Sequence, residues 1–357
     1  MKTYIKFLIS VFFKSFFYVF LVMLSLVFIL NILSELDFFK EIEIGIDFTL
    51  LLSLLNSPSM IFEMFPFIFL ISTQLFFIKL FFNNELEIFK YSGLKNSNIL
   101  MILSSISLII GVLIIFTFYN FSAVFKNFYL EKKSQYTVDE KYLAVITKNG
   151  LWIKDEIDEK IYIINSSKIN DNFLINNFIT EFNSNFEVLR NIQSDKIDIT
   201  KKNWRILDAM VYNQNNYELN NILILKTNFD YKRIKSLYSN LSSLNILQLF
   251  ELRNNYKKLN YSLTEINLQL LKLLLYPIYL MLITVFASLI MFKIKRLSTT
   301  TIKISVGLFL SVIIYYINNF FLVMGSTEKI TIIFAVSIPL LMLSFVNIIM
   351  SYKINEK

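Results

Sequence analysis

The chain has no cysteine and no histidine in 357 residues. Disulfides, thiolate and imidazole metal ligands, Cys and His nucleophiles and any Ser-His-Asp relay are therefore excluded. It has no G-x-x-x-x-G-K-[ST] loop to cradle phosphates either, so it cannot itself bind ATP in the P-loop manner. Charge is scarce: 17% of residues are Asp, Glu, Lys or Arg, against 55% hydrophobic with 37 Phe and a mean hydropathy of +0.56. That balance lies outside the soluble class and describes an integral membrane protein. The net charge of +8 is spread along the chain rather than gathered into a basic block, which leaves no footprint for a nucleic-acid partner. Only five of the 35 basic residues are Arg, and Asn, Ile, Lys and Phe are used heavily throughout, a compositional bias rather than chemistry. No metal or cofactor site is expected.

What the chain does have is apolar length. A bilayer core about 30 Å thick needs roughly 20 apolar residues in a helix. Six runs qualify: about Phe7 to Leu33, Met60 to Phe82, Ser97 to Phe125, Leu270 to Phe292, Ile302 to Met324 and Ile330 to Met350. Lys14 lies near one end of the first run, where its stem can snorkel, and the surrounding Leu, Ile, Phe and Val outvote its insertion cost. The run is too long for a signal-peptide core and no small-residue cleavage site follows, so it is expected to remain as a helix. Lys2, Lys6, Lys79, Lys90, Lys95, Lys293, Lys295, Arg296, Lys303, Lys353 and Lys357 fall on one side. The opposite loop after helix 1 carries Glu35, Asp37, Glu41, Glu43 and Asp47 with a single Lys40. The positive-inside rule then predicts both termini in the cytoplasm and the polar middle outside it.

Residues of about 127–262 contain no 20-residue apolar run. Short alternations such as Ile161-Tyr162-Ile163, Phe186-Glu187-Val188, Ile197-Asp198-Ile199 and Trp204-Arg205-Ile206, separated by polar clusters, predict strands and turns. The expected fold is membrane α-helical, with six transmembrane helices in a 3+3 arrangement and an inserted extracytoplasmic all-β domain, a sandwich or open barrel. Residues 1–126 hold helices 1–3 with a cytoplasmic segment near 83–96, residues 127–262 the β domain and a helical connector, and residues 263–357 helices 4–6. Leu237, Leu241, Leu244, Leu247 and Leu249, then Tyr256, Leu259 and Leu263, predict the connector helices that lead back to helix 4. Three helices on each side of an insertion also fit a transporter built from paired units.

Local motifs sharpen this layout. The segment from Asn84-Glu85-Leu86-Glu87-Ile88-Phe89-Lys90 to Tyr91-Ser92-Gly93-Leu94-Lys95, the strand Asn149-Gly150-Leu151-Trp152-Ile153-Lys154-Asp155 and the strand Lys202-Asn203-Trp204-Arg205-Ile206 occur in order. With Pro66 in helix 2, Pro277 in helix 4 and Gly325 before helix 6, the whole chain resembles the LptF/LptG permease subunits of the lipopolysaccharide export ABC transporter, in form and length more LptG than LptF. The resemblance implies a jellyroll-like β domain and a non-catalytic subunit in the bacterial inner membrane. It implies pairing with a second six-helix permease (LptF-like), a dimer of a cytoplasmic ABC ATPase (LptB-like), and a periplasmic jellyroll protein (LptC- or LptA-like) that receives lipopolysaccharide. Two rivals remain: a mechanotransmitting or lipoprotein-releasing ABC subunit, whose large outer domain would follow helix 1 rather than helix 3, and a membrane receptor or enzyme, for which no paired intramembrane Asp, H-E-x-x-H or kinase-like signature exists.

Candidate site residues follow from both readings. Leu86 and Phe89 interrupt the charges of the cytoplasmic segment as a partner-docking helix would, a solvated loop being the plain alternative. The resemblance makes Glu85, Leu86, Phe89 and Gly93 the ATPase-coupling segment, with Glu85 at the ATPase groove, and has helices 1 and 5 line the gate and cavity. For the lipid, Lys40 is the cation at the outer end of helix 1, or else an interface anchor, with Asn31, Glu35, Asp37 and Glu41 around it. Glu63 near the outer end of helix 2 and Lys272 at the start of helix 4 are intramembrane charges and lipid-contact candidates, unless their depth is shallow enough to reach water. Phe12, Phe16, Phe20, Phe62, Phe65 and Phe69 are expected on surfaces facing lipid or a cavity. Trp152 and Trp204 are expected in the β core.

Overall fold

The computed structural model describes residues 3–40, 44–134, 136, 151–157, 159–170, 172–213, 216–231, 234, 240–258, 262–293 and 300–352. Of the residues singled out above, Lys2, Glu41, Glu43, Asn149, Gly150, Leu237, Leu259, Lys295, Arg296, Lys353 and Lys357 lie outside these, as does the side chain of Lys303. The chain divides into two compact units, one formed by residues 1–129, 242–249 and 264–357 and the other by residues 130–241 and 250–263.

The first unit is helical: α1 (Thr3–Phe38), α2 (Ile46–Phe82), a short α3 (Glu85–Tyr91), α4 (Asn96–Leu113) continued through a π-helical turn (Ile114–Tyr119) into α5 (Asn120–Ser134), then α7 (Thr264–Lys293), α8 (Thr300–Ser326) and α9 (Ile332–Ser351). A connector helix, α6 (Ile246–Lys258), precedes α7. Among the described residues six helices are long and apolar enough to cross a membrane. The second begins at Ile46, fourteen residues before the expected Met60. Its added turns contain Ser53 and Ser57, whose hydroxyls donate to the carbonyls of Thr49 (2.8 Å) and Ser53 (2.6 Å), so these polar side chains are satisfied within the helix. Glu35 and Asp37, read as loop residues, belong to α1, and Asp47 to α2.

Phenylalanines join α1 to α2. Phe16 meets Phe69 edge-on at 5.3 Å, Phe12 meets Phe76 at 6.1 Å and Phe20 stacks on Phe65 at 6.1 Å. Of the rings expected to face lipid or a cavity, Phe12, Phe16, Phe20, Phe65 and Phe69 pack between the helices, because their spacing in each helix puts them on one stripe, while Phe62 lines a cavity. Three glycines mark close contacts between helices. A Cβ on Gly111 of α4 would lie 2.9 Å from Pro277 Cα of α7, one on Gly307 of α8 would occupy the amide of Gln74 on α2, and one on Gly325 at the end of α8 would lie 2.5 Å from Ala335 Cβ of α9. Small residues at helix contacts let backbones approach where no hydrophobic effect drives association.

The second unit holds six strands: β1 (Leu151–Ile157), β2 (Lys160–Asn170), β3 (Phe173–Phe182), β4 (Val188–Asp198), β5 (Asn203–Asn213) and β6 (Asn216–Lys226). All pair antiparallel with their sequence neighbours, in the order β1-β2-β3-β4-β5-β6. The inserted β domain is thus present between the third and fourth membrane helices, as an open meander. Its core gathers Ile153, Ile164, Ile179, Ile192 and Ile206 around Trp204, whose indole N–H donates to the Phe229 carbonyl at 2.9 Å. Trp152, expected in this core, is 54% exposed, because alternation in β1 turns Leu151, Ile153 and Asp155 inward and Trp152 outward.

A line of irregularities crosses the sheet. Two consecutive residues leave the core at Ser167–Lys168, Ile175–Asn176, Asp195–Lys196 and Leu207–Asp208, with φ of 51° at Asn176 and 48° at Asp208. Pairing stays in register across the line because each facing strand carries the same extra residue. Buried side chains tie it together: Ser166 Oγ donates to the Ile175 carbonyl (3.0 Å), Asn177 Nδ2 to that of Ser194 (3.2 Å) and Ser194 Oγ to that of Leu207 (2.6 Å). Aligned bulges of this kind bend a sheet along one axis.

Candidate functional site

The helical unit contains a cavity of about 290 Å³ between α2, α7, α8 and α9. Phe62, Glu63 and Pro66 of α2 form one wall, and Lys272, Leu275, Tyr276 and Tyr279 of α7 another. Tyr315, Asn318, Asn319 and Leu322 of α8 and Val336 and Leu340 of α9 complete it. Glu63 and Lys272, singled out separately from the sequence, therefore face one space. Neither makes an ion pair or hydrogen bond among the described residues. With α2 starting at Ile46, Glu63 has 17 helical residues before it, about 26 Å of helix, so it does not sit near the helix end. Lys272 likewise lies two turns inside α7. The fifth membrane helix, α8, contributes to this cavity, and α1 lies outside its lining.

One side of the cavity is tied to the connector. Tyr276 donates its hydroxyl to the Phe62 carbonyl at 2.7 Å and stacks on the Phe62 ring at 5.0 Å. That ring also meets Tyr119 at 5.1 Å, and the Tyr119 hydroxyl donates to the Leu244 carbonyl at 2.9 Å. Asn120 Oδ1 accepts from the Ile246 amide at 3.1 Å, the first residue of α6. The π-helical turn that ends at Tyr119 is what sets these two side chains at the connector, and such turns recur at functional sites. Leu244 and Leu249 were legible as connector residues; the π turn carries no signal in the apolar run Ile114-Ile115-Phe116.

A second polar group lies among α1, α2 and α5. Asn31 Nδ2 donates to Ser57 Oγ (3.1 Å), Asn56 Nδ2 to Asn31 Oδ1 (2.9 Å), Lys126 Nζ to Asn56 Oδ1 (2.5 Å) and the Tyr129 hydroxyl to Glu35 Oε1 (2.8 Å). The Lys126 ammonium also sits 4.7 Å over the Tyr129 ring. Asn31 and Glu35 were read as neighbours of Lys40, but they are buried in this network, while Lys40 is exposed just past the end of α1 and joins neither group. The spacings Asn31/Glu35, Ser53/Ser57 and Lys126/Tyr129, three or four apart, are the signal that would have shown it.

The expected coupling segment forms α3. Leu86 is 1% exposed, and Phe89 meets Phe7 of α1 edge-on at 5.9 Å, so both hold the segment to the long helices. Glu85 is half-buried and accepts from Asn83 Nδ2 at 3.2 Å. Gly93, at φ +80°, closes the helix: its amide donates to the Lys90 carbonyl and that of Leu94 to the Phe89 carbonyl, the paired bonds of a Schellman turn. The side chains offered outward are Phe82, Ile88 and Tyr91, which sequence reasoning passed over. Their spacing of six and three residues near an amphipathic turn was the available signal.

In the β unit the Asp155 carboxylate is buried and accepts from the backbone amide (2.9 Å) and side-chain amide (2.8 Å) of Asn228, which explains the acidic end of the β1 motif as a structural clasp. Edge strand β6 exposes Tyr217, Leu219, Ile222 and Ile224. Glu181 is buried on the sheet under Lys160 (2.8 Å) and Arg190 (2.6 Å). Burial alone would raise its carboxyl, but the hydrogen bonds from these two cations prevail and hold it below the usual carboxylate range.

With this geometry in place, comparison with known proteins gives one assignment. A family model described as lipopolysaccharide export system permease LptF/LptG matches residues 6–353, nearly the entire chain, and covers both LptF and LptG. No curated protein matches at a significant level.

Proposed function

The chain belongs to the lipopolysaccharide export system permease family LptF/LptG, and on that premise we propose that it is the LptG-like subunit of an ABC transporter that extracts lipopolysaccharide from the inner membrane. A lipopolysaccharide transport permease with six membrane helices is an inner-membrane protein. The observation that carries the reading is the family match over 6–353 together with an antiparallel sheet inserted between the third and fourth apolar helices. The chain itself is non-catalytic in this reading, and the work comes from a separate cytoplasmic ATPase dimer. Residues 1–126 and 263–357 form the permease body beside a second six-helix permease, and residues 127–262 form the periplasmic receiving domain.

Specific roles follow. The side of α3 faces the cytoplasm, as Lys79, Lys90 and Lys95 around it suggest. There Glu85 meets the ATPase groove with Ile88 and Tyr91, while Leu86, Phe89 and Gly93 hold the helix in position for the stroke. Lys40, Glu63 and Lys272 contact the lipid. The apolar edge strand β6 pairs with the periplasmic jellyroll protein and hands lipid to it, since a strand edge supplies unpaired backbone groups and its side chains a greasy track.

The test is affinity purification of the detergent-solubilised full chain from native membranes, with companions identified by mass spectrometry. A small ATPase and a second six-helix protein of similar length are expected. Recovery of the chain alone, or with unrelated enzymes, returns the receptor and enzyme readings. Glu85→Lys is expected to abolish ATPase recovery, and retention of the ATPase by that variant would remove α3 from the interface.

A further inference from the structure

We propose that the cavity between α2, α7, α8 and α9 binds a zwitterionic phosphoethanolamine headgroup, with its phosphate against Lys272 and its ammonium against Glu63. The inference rests on the reading of these two residues as lipid contacts and names the chemistry they select. A charged side chain in an apolar helix is costly to insert, and such residues ordinarily pair with one another. Glu63 and Lys272 line one cavity from different helices yet form no ion pair within 4 Å among the described residues. The space between them is therefore bounded by a negative and a positive wall.

Elimination then chooses the occupant. A simple anion would satisfy Lys272 but be repelled by Glu63, and a simple cation would meet the reverse. An acyl chain would strip water from both charges and return nothing. A headgroup carrying both signs, a phosphodiester and a primary ammonium two carbons apart, satisfies both walls at once. The remaining lining agrees with it. Asn318 and Asn319 add amide donors suited to phosphate oxygens, and Tyr276, Tyr279 and Tyr315 bring aromatic rings, which attract ammonium groups, into the same lining. The volume, about 290 Å³, falls at the lower end for small-ligand sites, enough for a headgroup and too little for several acyl chains.

That headgroup has two sources, phosphatidylethanolamine of the bilayer or a phosphoethanolamine substituent on the exported lipopolysaccharide. The full chain would be reconstituted in vesicles of equal parts phosphatidylethanolamine and phosphatidylglycerol, and retained lipid measured by native mass spectrometry. Phosphatidylethanolamine is expected to be retained preferentially. Glu63→Gln and Lys272→Gln are each expected to cut that retention about tenfold, the loss of one charge-assisted contact. The exchange Glu63→Lys with Lys272→Glu keeps both signs and is expected to restore most of it, which also guards against a single variant that folds poorly. In phosphatidylglycerol vesicles supplied with lipopolysaccharide bearing or lacking phosphoethanolamine, selective retention of the bearing form makes the cargo a source, and equal retention leaves the bilayer lipid. Equal retention of the two phospholipids, or indifference to both neutralising variants, overturns the proposal. So does a preference for phosphatidylglycerol that depends on Lys272 alone, since that is an anion site. Intact phosphatidylethanolamine retention without any crosslinking of lipopolysaccharide to the chain would sink the export reading and leave this site standing.

Discussion

Two groups of polar side chains sit among the apolar helices, and they are built in opposite ways. In the first, Asn31, Glu35, Asn56, Ser57, Lys126 and Tyr129 are linked by bonds of 2.5 to 3.1 Å from three helices. In the second, Glu63 and Lys272 face a cavity of about 290 Å³ and make no such bond among the described residues. The difference teaches what each is for. Intramembrane polar groups that bond across helices act as glue, whereas charges left facing a space are matched to something that enters it.

The sharpest way to break this comparison is Asn56→Leu, which removes the side chain that bonds both Lys126 and Asn31. A loss of about 2 kcal/mol is expected in thermal unfolding of the detergent-solubilised chain, because a buried cation and an amide are stranded together. An unchanged transition would mean that the network is not glue. Asn31→Leu, which spares Lys126, is expected to cost about 1 kcal/mol, near the usual worth of polar contacts between membrane helices. On the cavity side, Glu63→Gln and Lys272→Gln should each change stability by less than about 0.5 kcal/mol while reducing lipid retention. A large destabilisation there would make the pair structural and erase the contrast.

The β unit supplies an intermediate case, a buried carboxylate closed by charge. The folded Glu181 carboxyl lies below its ordinary range, so its contribution to stability is present above the unfolded carboxylate value of about 4.3 and is lost as pH falls through the lower folded value. Both tryptophans belong to the β unit, and fluorescence of the whole chain reads its unfolding. Glu181→Gln is expected to remove part of the acid-side loss of stability, the smallest of these effects because Lys160 and Arg190 are partly exposed. An identical acid transition in the variant would assign that loss to other carboxylates.

How legible all this was in the sequence depended on the kind of signal. Apolar length announced the six helices, and alternation announced strands around Ile161, Ile197 and Trp204, since both follow from local periodicity. The start of α2 was misplaced because Ser53, Asn56 and Ser57 look like breakers until their hydroxyls and amides are seen bonding within and between helices. Trp152 was misplaced because residue type was weighed above its position between two inward residues. Glu63 and Lys272 were each visible as charges in apolar runs, but they are 209 positions apart in the chain, and no local pattern could show that they share a cavity. Gly93, read as part of the coupling segment, closes α3 at a positive φ, a backbone role that residue type alone does not distinguish from a contact.

The close seats at Gly307 and Gly325 have a mechanical consequence. The Gln74 side chain fills the place of a β-carbon at Gly307, and Ala335 does nearly the same at Gly325, about 27 Å further along α8. Two such close seats oppose sliding of α8 along its neighbours, the firmer one at Ala335 because the Gln74 side chain can turn aside. A swing of α8 that carries α9 with it keeps that firmer seat, so a parting of α8 from α2 resembles a door moving together with one side of its frame.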